Sequence, residues 1–362
     1  MQIINRDYVN ESDKKLVELF TSSTSIKKYI LGINKLTKSV LKFIEVDGII
    51  DDFTRVQRSR KKEILKIGDV PKDALILWTA TGSPLQVKQR LDAMGFKHIS
   101  YLTLCKYTAF DLTPPPFIMD FKKDFESNTQ KYKQIFTLLA DKKSQDIFTK
   151  VINFKISFDY SFMEGFTNNH SGQYFDKEIV PEIKNISFLD GGGYVGDTAT
   201  EVIKNYPDFK KIWLIEPIPE NLRIAKRELD SYKNIEFLNC GISNKKETLY
   251  FNEEKSFSSI YGKGTQSVEV DTIDNLVREK VDYIKMDIEG AEQDAIDGAK
   301  ETIRKYTPIL AICIYHKAED WYKIPEKVLT INSGYKVYLR HYMEGIFETV
   351  IYFIPIHKSN TY

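Results

Sequence analysis

Short apolar runs alternate with helix-spaced apolar stripes along most of the chain, the pattern of an α/β protein built on parallel sheets. In the first third, residues 12–20 place Leu16, Val17, Leu19 and Phe20 on a rough helical face. Residues 28–32 read as a strand, Leu36, Val40, Leu41 and Ile44 follow at helical spacing, and residues 46–51 form a second strand ending at Asp51 and Asp52. Residues 74–78 and 99–104 read as third and fourth strands, separated by a helix over 83–94 that Gly95 closes. The expectation is a small parallel α/β unit. Its first turn, Gly32-Ile33-Asn34, holds a single glycine, which is weak support for phosphate binding. Asp51 and Asp52 stand where a second-strand acid would grip a ribose. The single glycine nevertheless favours a degenerate Rossmann-like unit used for docking or dimerisation over a second nucleotide site.

Thr113-Pro114-Pro115-Pro116 then breaks the pattern, because three prolines can continue neither a helix nor a central strand. Residues 121–154 are helical and highly charged, with a break near 141–144, and form a bridge. After it, strands are expected at 186–189, 211–216, 235–238, 281–287 and 308–315, with helices between them. Residues 248–252 and 267–270 read as a hairpin off the main sheet, and Ser256-Phe257-Ser258-Ser259 between them as a polar loop for an acceptor. The last strands, 335–340 and 349–354, are joined by a tight turn and must be antiparallel. The organisation expected is an N-terminal unit over 1–112, a connector and bridge over 113–165 and a second α/β unit over 166–362.

The second unit starts on Ile186-Ser187-Phe188-Leu189-Asp190-Gly191-Gly192-Gly193-Tyr194-Val195-Gly196-Asp197-Thr198, a strand, a glycine turn and a helix with Ala199, Val202 and Ile203 as its stripe. Gly191, Gly193 and Gly196 satisfy the dinucleotide fingerprint, with Glu216 twenty residues beyond. A carboxylate at the strand tip, Asp190, with Asp197 in the first helical turn, would oppose a pyrophosphate. The same charges suit the ammonium and sulfonium of S-adenosylmethionine, so the charge pattern favours that cofactor. Glu216, before Pro217, can accept both ribose hydroxyls. The loop at Cys240 and Ile242 should lie beside the adenine, with Cys240 a packing residue rather than a nucleophile. Tyr174, upstream of the turn, is placed over the cofactor, at the acceptor entrance or simply in the core. Asp287 and Glu289 follow the fourth strand, and Glu292 is expected to face solvent on the next helix.

The 52 basic and 51 acidic residues nearly cancel, which gives no support for general nucleic-acid binding. Cys105, Cys240 and Cys313 are too widely spaced for a zinc site or a disulfide framework, so a reducing, cytoplasmic compartment is expected. No run of about 18 apolar residues predicts a membrane span.

Residues 170–356 resemble the FkbM family of S-adenosylmethionine-dependent methyltransferases. The resemblance rests on the 190–196 turn, Glu216-Pro217, Lys285-Met286-Asp287-Ile288-Glu289-Gly290-Ala291-Glu292, Ile314-Tyr315-His316, Arg340-His341-Tyr342 and Glu348-Thr349-Val350-Ile351-Tyr352. The fourth-strand segment is the most specific of these. At Gly192-Gly193 many members have Gly-Ala-Asn, so a contact made by that Asn must be replaced. The resemblance implies a class I methyltransferase-type Rossmann-like sheet closed by an antiparallel hairpin. It also implies O-methylation of a sugar, polysaccharide, glycan precursor or natural product. It does not reach residues 1–110. A sugar hydroxyl needs a general base. His316 is the first candidate, because an ordinary imidazole takes up protons near neutrality; His341 comes second, and Asp287 or Glu289 third. The strand-tip carboxylates are compatible with Mg²⁺, but no spacing demands it and no metal is assigned. A nicotinamide-dependent oxidoreductase and a non-catalytic subunit with a methyltransferase fold are the alternatives.

Overall fold

Two parallel-stranded sheets, one in each half of the chain, organise the computed structural model, which describes residues 1–4, 8–54, 58–59, 62–251 and 266–356. The first sheet contains β1 (Lys28–Leu31), β2 (Gly48–Ile50), β3 (Arg58–Ser59), β4 (Lys62–Leu65), β5 (Leu75–Trp78) and β6 (Lys97–Ser100), in the order β3-β4-β2-β1-β5-β6. All of its pairings are parallel except β3 with β4. Helices α1 (Glu11–Ser22), α2 (Lys35–Val40), α3 (Pro84–Ala93) and α4 (Tyr101–Tyr107) accompany it. Val17, Phe20, Ile30, Val40, Leu75 and Leu104 are among the residues buried in one cluster of its core.

Two local expectations change here. The apolar run at 99–104 is not one strand: Ser100 accepts a hydrogen bond from Thr103 N–H and caps α4, so the chain turns helical at Tyr101. The short strand β4 escapes the apolar pattern because Lys62 and Glu63 make up half of it.

The bridge consists of α5 (Phe121–Leu138) and α6 (Lys142–Ser157). Asp141 ends the break between them by accepting from Ser144 N–H at the N-terminus of α6. These helices are packed elements of the core. Tyr132, buried on α5, donates through its hydroxyl to Asp124 and to the Ala318 carbonyl. Phe121 and Phe148 both pack edge-on against Trp321. One continuous apolar cluster therefore runs from Ile50 and Trp78 through Tyr132 and Phe148 to Trp321 and Ile351.

The second sheet holds β7 (Ser187–Gly191), β8 (Lys211–Ile215), β9 (Ile235–Leu238), β13 (Tyr283–Met286), β14 (Ile309–Cys313), β15 (Tyr335–His341) and β16 (Thr349–Pro355). A separate three-stranded sheet of β10 (Gly241–Ile242), β11 (Glu247–Phe251) and β12 (Gln266–Asp271) branches off between β9 and β13, as the hairpin pattern predicts. The main order is β15-β16-β14-β13-β7-β8-β9. Five strands are parallel, and the terminal hairpin joins antiparallel through β16. The buried strands are nearly all apolar because helices cover both faces. These are α7 (Asp197–Asn205), α8 (Pro219–Glu228), α9 (Ile273–Leu276), α10 (Glu292–Asp297), α11 (Lys300–Tyr306) and α12 (Asp320–Ile331).

The turn between β15 and β16 touches the first sheet's helices. Glu344 accepts from the Gln86 backbone N–H (3.1 Å) and side-chain amide (2.9 Å) in the first turn of α3, where a carboxylate satisfies an otherwise unpaired amide. No helix among the described residues is long and apolar enough to cross a membrane.

Candidate active site

The chain leaves β7 to build β8 and β9 on one side, then returns to place β13 on the other. In open α/β sheets ligands bind beyond the carboxyl ends of strands at such a switch point. The tip of β7 is the glycine turn. Gly192 has φ +79°, and a Cβ there would collide with the Asp287 carbonyl oxygen at the end of β13. Gly196, also left-handed at +88°, stands at the N-terminus of α7, and no side chain caps it. The first-turn amides of α7 are therefore left for a ligand or water.

Asp190 does not do what the sequence suggests. It is fully buried, and the sheet register sets it beside Lys285, whose Nζ lies 3.1 Å from Oδ1. Lys285 also donates to the Gly192 carbonyl (2.7 Å). Burial raises the Asp190 carboxyl pKa despite that cation. Its charge is spent on stapling the turn, so the argument that it greets a cationic cofactor fails at this residue. Lys285 is the member of the pair that reaches the cleft.

That cleft has a volume of about 800 Å³, within the size range of small-ligand sites. Gly192, Tyr194, Asp197, Glu216 and Pro217 line one wall, with Cys240 and Ile242 nearby. Gly191, Gly193, Gly196 and Asp190 shape the turn without lining the cleft. Glu216 is held by Tyr194 N–H on Oε2 (3.0 Å) and by Ile218 N–H (2.9 Å) and the Asn221 side-chain amide (3.3 Å) on Oε1, which leaves acceptor capacity on Oε2 for a hydroxyl. Burial pushes the Cys240 thiol up to about 11, so it is no nucleophile near neutrality. With Asp197, Glu201 and Glu216 together, this wall opposes a pyrophosphate even with Asp190 removed from the argument.

The opposite wall carries Tyr174, Asp287, Glu289, Tyr315 and Glu348. Asp287 is clamped on both oxygens. Tyr174 donates to Oδ2 and Tyr315 to Oδ1, each at 3.1 Å. Tyr174 sits in a turn, buried against this carboxylate. His316 lies just behind the wall, with Nε2 3.6 Å from Asp287 Oδ1 and 3.8 Å from Glu289 Oε2. Its Nδ1 is 3.0 Å from Oε1 of Glu292. Glu292 is fully buried and also accepts from Ile288 N–H, which overturns its expected solvent-facing place. Ligand-type atoms of Asp287, Glu292 and His316 fall within 4.8 Å of one another.

These neighbours change the acid–base reading. Burial disfavours the His316 imidazolium, but Glu292, Asp287 and Glu289 outweigh it and push His316 up to about 9. It is a cation at neutral pH, not the free base its ordinary range suggests. Glu348 is the group in the same wall that titrates near neutrality. Burial, with Asp287 adding to it, raises its carboxyl to about 7, and the Gln173 amide orients Oε2. The sequence held Glu348 only as part of a terminal motif; its position in the turn before β16 was the available signal.

His341 is not in the cleft. It ends β15 behind the sheet, buried against Phe166, with Nδ1 2.9 Å from Thr349 Oγ1. Burial, reinforced by the nearby Lys155 ammonium, drives its pKa down to about 3. It has neither the access nor the basicity for the second-choice role. The Ser256–Ser259 loop lies outside the described residues.

Residues 190–337 match the sequence model of the methyltransferase FkbM domain. This stretch is an FkbM-type methyltransferase domain. It contains the glycine turn, Glu216, Asp287 and His316, while Glu348 falls beyond its matched end. No curated protein sequence matches the chain. Among solved structures, a methyltransferase FkbM from Methylobacillus flagellatus KT shares 21% identity, covers 96% of this chain and 94% of its own, and superposes with a TM-score of 0.77. The likeness therefore extends to the fold of the N-terminal sheet and the bridge as well as the methyltransferase domain. An rRNA methylase from Streptococcus thermophilus (13% identity, 48% of this chain and 88% of its own, TM-score 0.33) also matches. So does the fibrillarin of Aeropyrum pernix, solved with bound S-adenosyl-L-methionine (17% identity, 48% and 69%, TM-score 0.32).

Proposed function

We propose that the protein is an S-adenosylmethionine-dependent O-methyltransferase acting on a hydroxyl of a sugar or glycan-type acceptor. The observation that carries this is the two-walled cleft at the switch point: an uncapped helix with Glu216 beside it, facing a carboxyl that titrates near neutrality. The residues fit the cofactor. The α7 amides and Lys285 suit its carboxylate, Asp197 its ammonium, Glu216 its ribose and Ile242 its adenine. When bound, it supplies a methyl group already activated on a sulfonium.

What the chain adds is alignment and proton removal. Asp287, clamped by the hydroxyls of Tyr174 and Tyr315, gives the wall a fixed acceptor that orients the substrate. Glu348 would receive the acceptor hydroxyl's proton, freeing the acceptor oxygen to take the methyl group. Tyrosine rings and carboxylates in one cleft suit a polyhydroxylated acceptor, which offers both CH faces and hydroxyl donors.

The test is transfer of labelled methyl from S-adenosylmethionine to a panel of glycans and nucleotide-linked sugars. Label in an alkali-stable methyl ether supports the reading. Glu348→Gln should then lower kcat by about 10²–10⁴-fold while leaving S-adenosylhomocysteine binding in place. Transfer only to nitrogen or carbon acceptors would overturn O-methylation, and full activity in Glu348→Gln would overturn its role as base.

A further inference from the structure

We propose that Glu344 and Asn168 are positioning residues through which the N-terminal unit holds Glu348 against the cleft. The inference rests on the reading of Glu348 as the base for the acceptor. Connecting turns ordinarily run over the surface, where water satisfies their backbone. The turn between β15 and β16 is instead buried: Tyr342, Met343, Glu344 and Ile346 are each no more than 6% exposed. A Cβ on Gly345 would meet Pro84 Cγ at 3.3 Å, so the backbone of this turn lies directly on the first residue of α3.

The start of α3 is built to take that partner. A serine at a helix start ordinarily accepts from an amide of the first turn. Ser83 makes no such cap. Its Oγ accepts from the Asn168 side-chain amide (2.9 Å), and Glu344 takes the Gln86 N–H in its place. The Gln86 side chain adds a second bond to the same carboxylate. Asn168 also donates to the Gly82 carbonyl (2.9 Å) and accepts from Glu344 N–H (3.1 Å). The N-terminal unit therefore grips two strips of chain at once, 168–174 and 342–348.

Those strips meet again at the cleft. Asn169 N–H donates to the Tyr342 carbonyl (2.9 Å), Tyr342 N–H to the Glu348 carbonyl (3.0 Å), and the Gln173 amide to Glu348 Oε2. Glu348 is left-handed, with φ +61°, a conformation that a residue with a side chain keeps only where its surroundings impose it. Tyr174, the donor to Asp287, is left-handed as well, with φ +70°. The grip stands four positions from the first and six from the second. Released, the turn would relax and water would reach Glu348. The N-terminal unit thus takes part in the reaction without a ligand of its own.

The experiment follows the Glu348 titration by NMR in the full chain labelled with carboxyl-¹³C glutamate, the resonance being the one that Glu348→Gln removes. Turnover, acceptor KM, S-adenosylhomocysteine affinity and thermal melts are measured beside it. Gln86→Glu sets two carboxylates face to face while keeping a residue well suited to the first turn of α3. Glu344→Gln spoils one of the two bonds to Gln86. The double variant restores both with the roles reversed. Lys285, Asp287, Cys313, Tyr315 and His316 face Glu348 from β13, β14 and the segments after them, and Tyr174 from its own turn. All of these stay in place, so a changed titration reports the turn.

Wild type should titrate near 7. Each single variant should move the midpoint by about one unit or more toward the ordinary carboxylate range. Each should lower kcat about tenfold or more, because a weaker base assists less, with S-adenosylhomocysteine affinity within about twofold of wild type. The double variant should recover both. If a single variant does not fold, Asn168→Ala, at a half-buried residue, carries the same expectation. Variants that melt earlier but titrate and turn over like wild type overturn the positioning role, as does a double variant that melts like wild type yet keeps the shifted midpoint. A midpoint that moves in the single variants and returns in the double one, with kcat constant throughout, supports the hold on Glu348 and counts against its reading as the base.

Discussion

The two sheets begin alike and end differently. In each, an inner parallel strand leads through a glycine turn into a helix. At the first, the turn closes on itself. Asn34 accepts from both Leu36 N–H and Thr37 N–H and donates to the Thr79 carbonyl, while Thr37 donates to the Gly32 carbonyl. The second-strand acids are also occupied: Asp51 accepts from Phe53 and Thr54 N–H, and Asp52 pairs with Arg90 and Ile67 N–H. At the second, Gly196 caps α7 with no side chain, and Glu216 keeps acceptor capacity on Oε2 beside an open cleft. What separates the two is therefore who satisfies the helix's first amides. A side-chain cap spends them on stability; a glycine reserves them for a ligand.

The largest contrast should come from the glycines. Gly192→Ala drives a Cβ into the Asp287 carbonyl at a left-handed position. It should abolish S-adenosylhomocysteine binding, by about a thousandfold or more, equal to roughly 4 kcal/mol. Gly32→Ala at the first tip meets Thr79 Oγ1 at 2.7 Å and should cost stability while leaving affinity unchanged. Calorimetry with thermal melts checks both; loss of affinity in Gly32→Ala would break the comparison.

Next is Asp190→Asn. Breaking a fully buried ion pair by removing one charge typically costs about 3–5 kcal/mol. The melting temperature should fall well before ligand affinity is measured, because Lys285 is left unpaired. An unchanged melt would show that Asp190 is a ligand contact after all.

How much of this was legible follows from the range of the signals involved. Strand runs such as Tyr283–Met286 and the terminal hairpin are local patterns, and they survive in the fold nearly as read. The Asp190–Lys285 pair is not local: its members are 95 positions apart, and only the register of β7 with β13 brings them together. Glu292 sits among polar helix neighbours and is buried by His316, which arrives from the end of another strand. His341 was the second-choice base in the sequence, but α6 packs over β15 and seals it in. Ser100 could have been found, since a serine three residues before a threonine amide marks a helix start.

The buried, uncharged imidazole behind the second sheet gives a smaller effect, read through pH. His341 has a folded pKa of about 3 against an unfolded value of about 6.5. The unfolded state binds the extra proton between these values, so the stability is full above pH 6.5 and is lost as pH falls toward 3. The loss is a few kcal/mol, of the order set by a shift of about three units. His341→Gln, which can still bond Thr349, should flatten the denaturant midpoint across that window. A slope that persists in the variant would assign it elsewhere.

The smallest effect belongs to the first tip. Asn34→Ala removes a helix cap and should cost about 1 kcal/mol with no change in cofactor affinity.

The most direct measurement is calorimetric titration of S-adenosylhomocysteine and of NADH into wild type and Glu216→Gln. The account predicts one S-adenosylhomocysteine site per chain, weakened roughly 10–100-fold in Glu216→Gln by loss of a charged hydrogen-bond acceptor worth about 1.5–3 kcal/mol, and no NADH binding. Folded wild type that takes up NADH and not S-adenosylhomocysteine would contradict it.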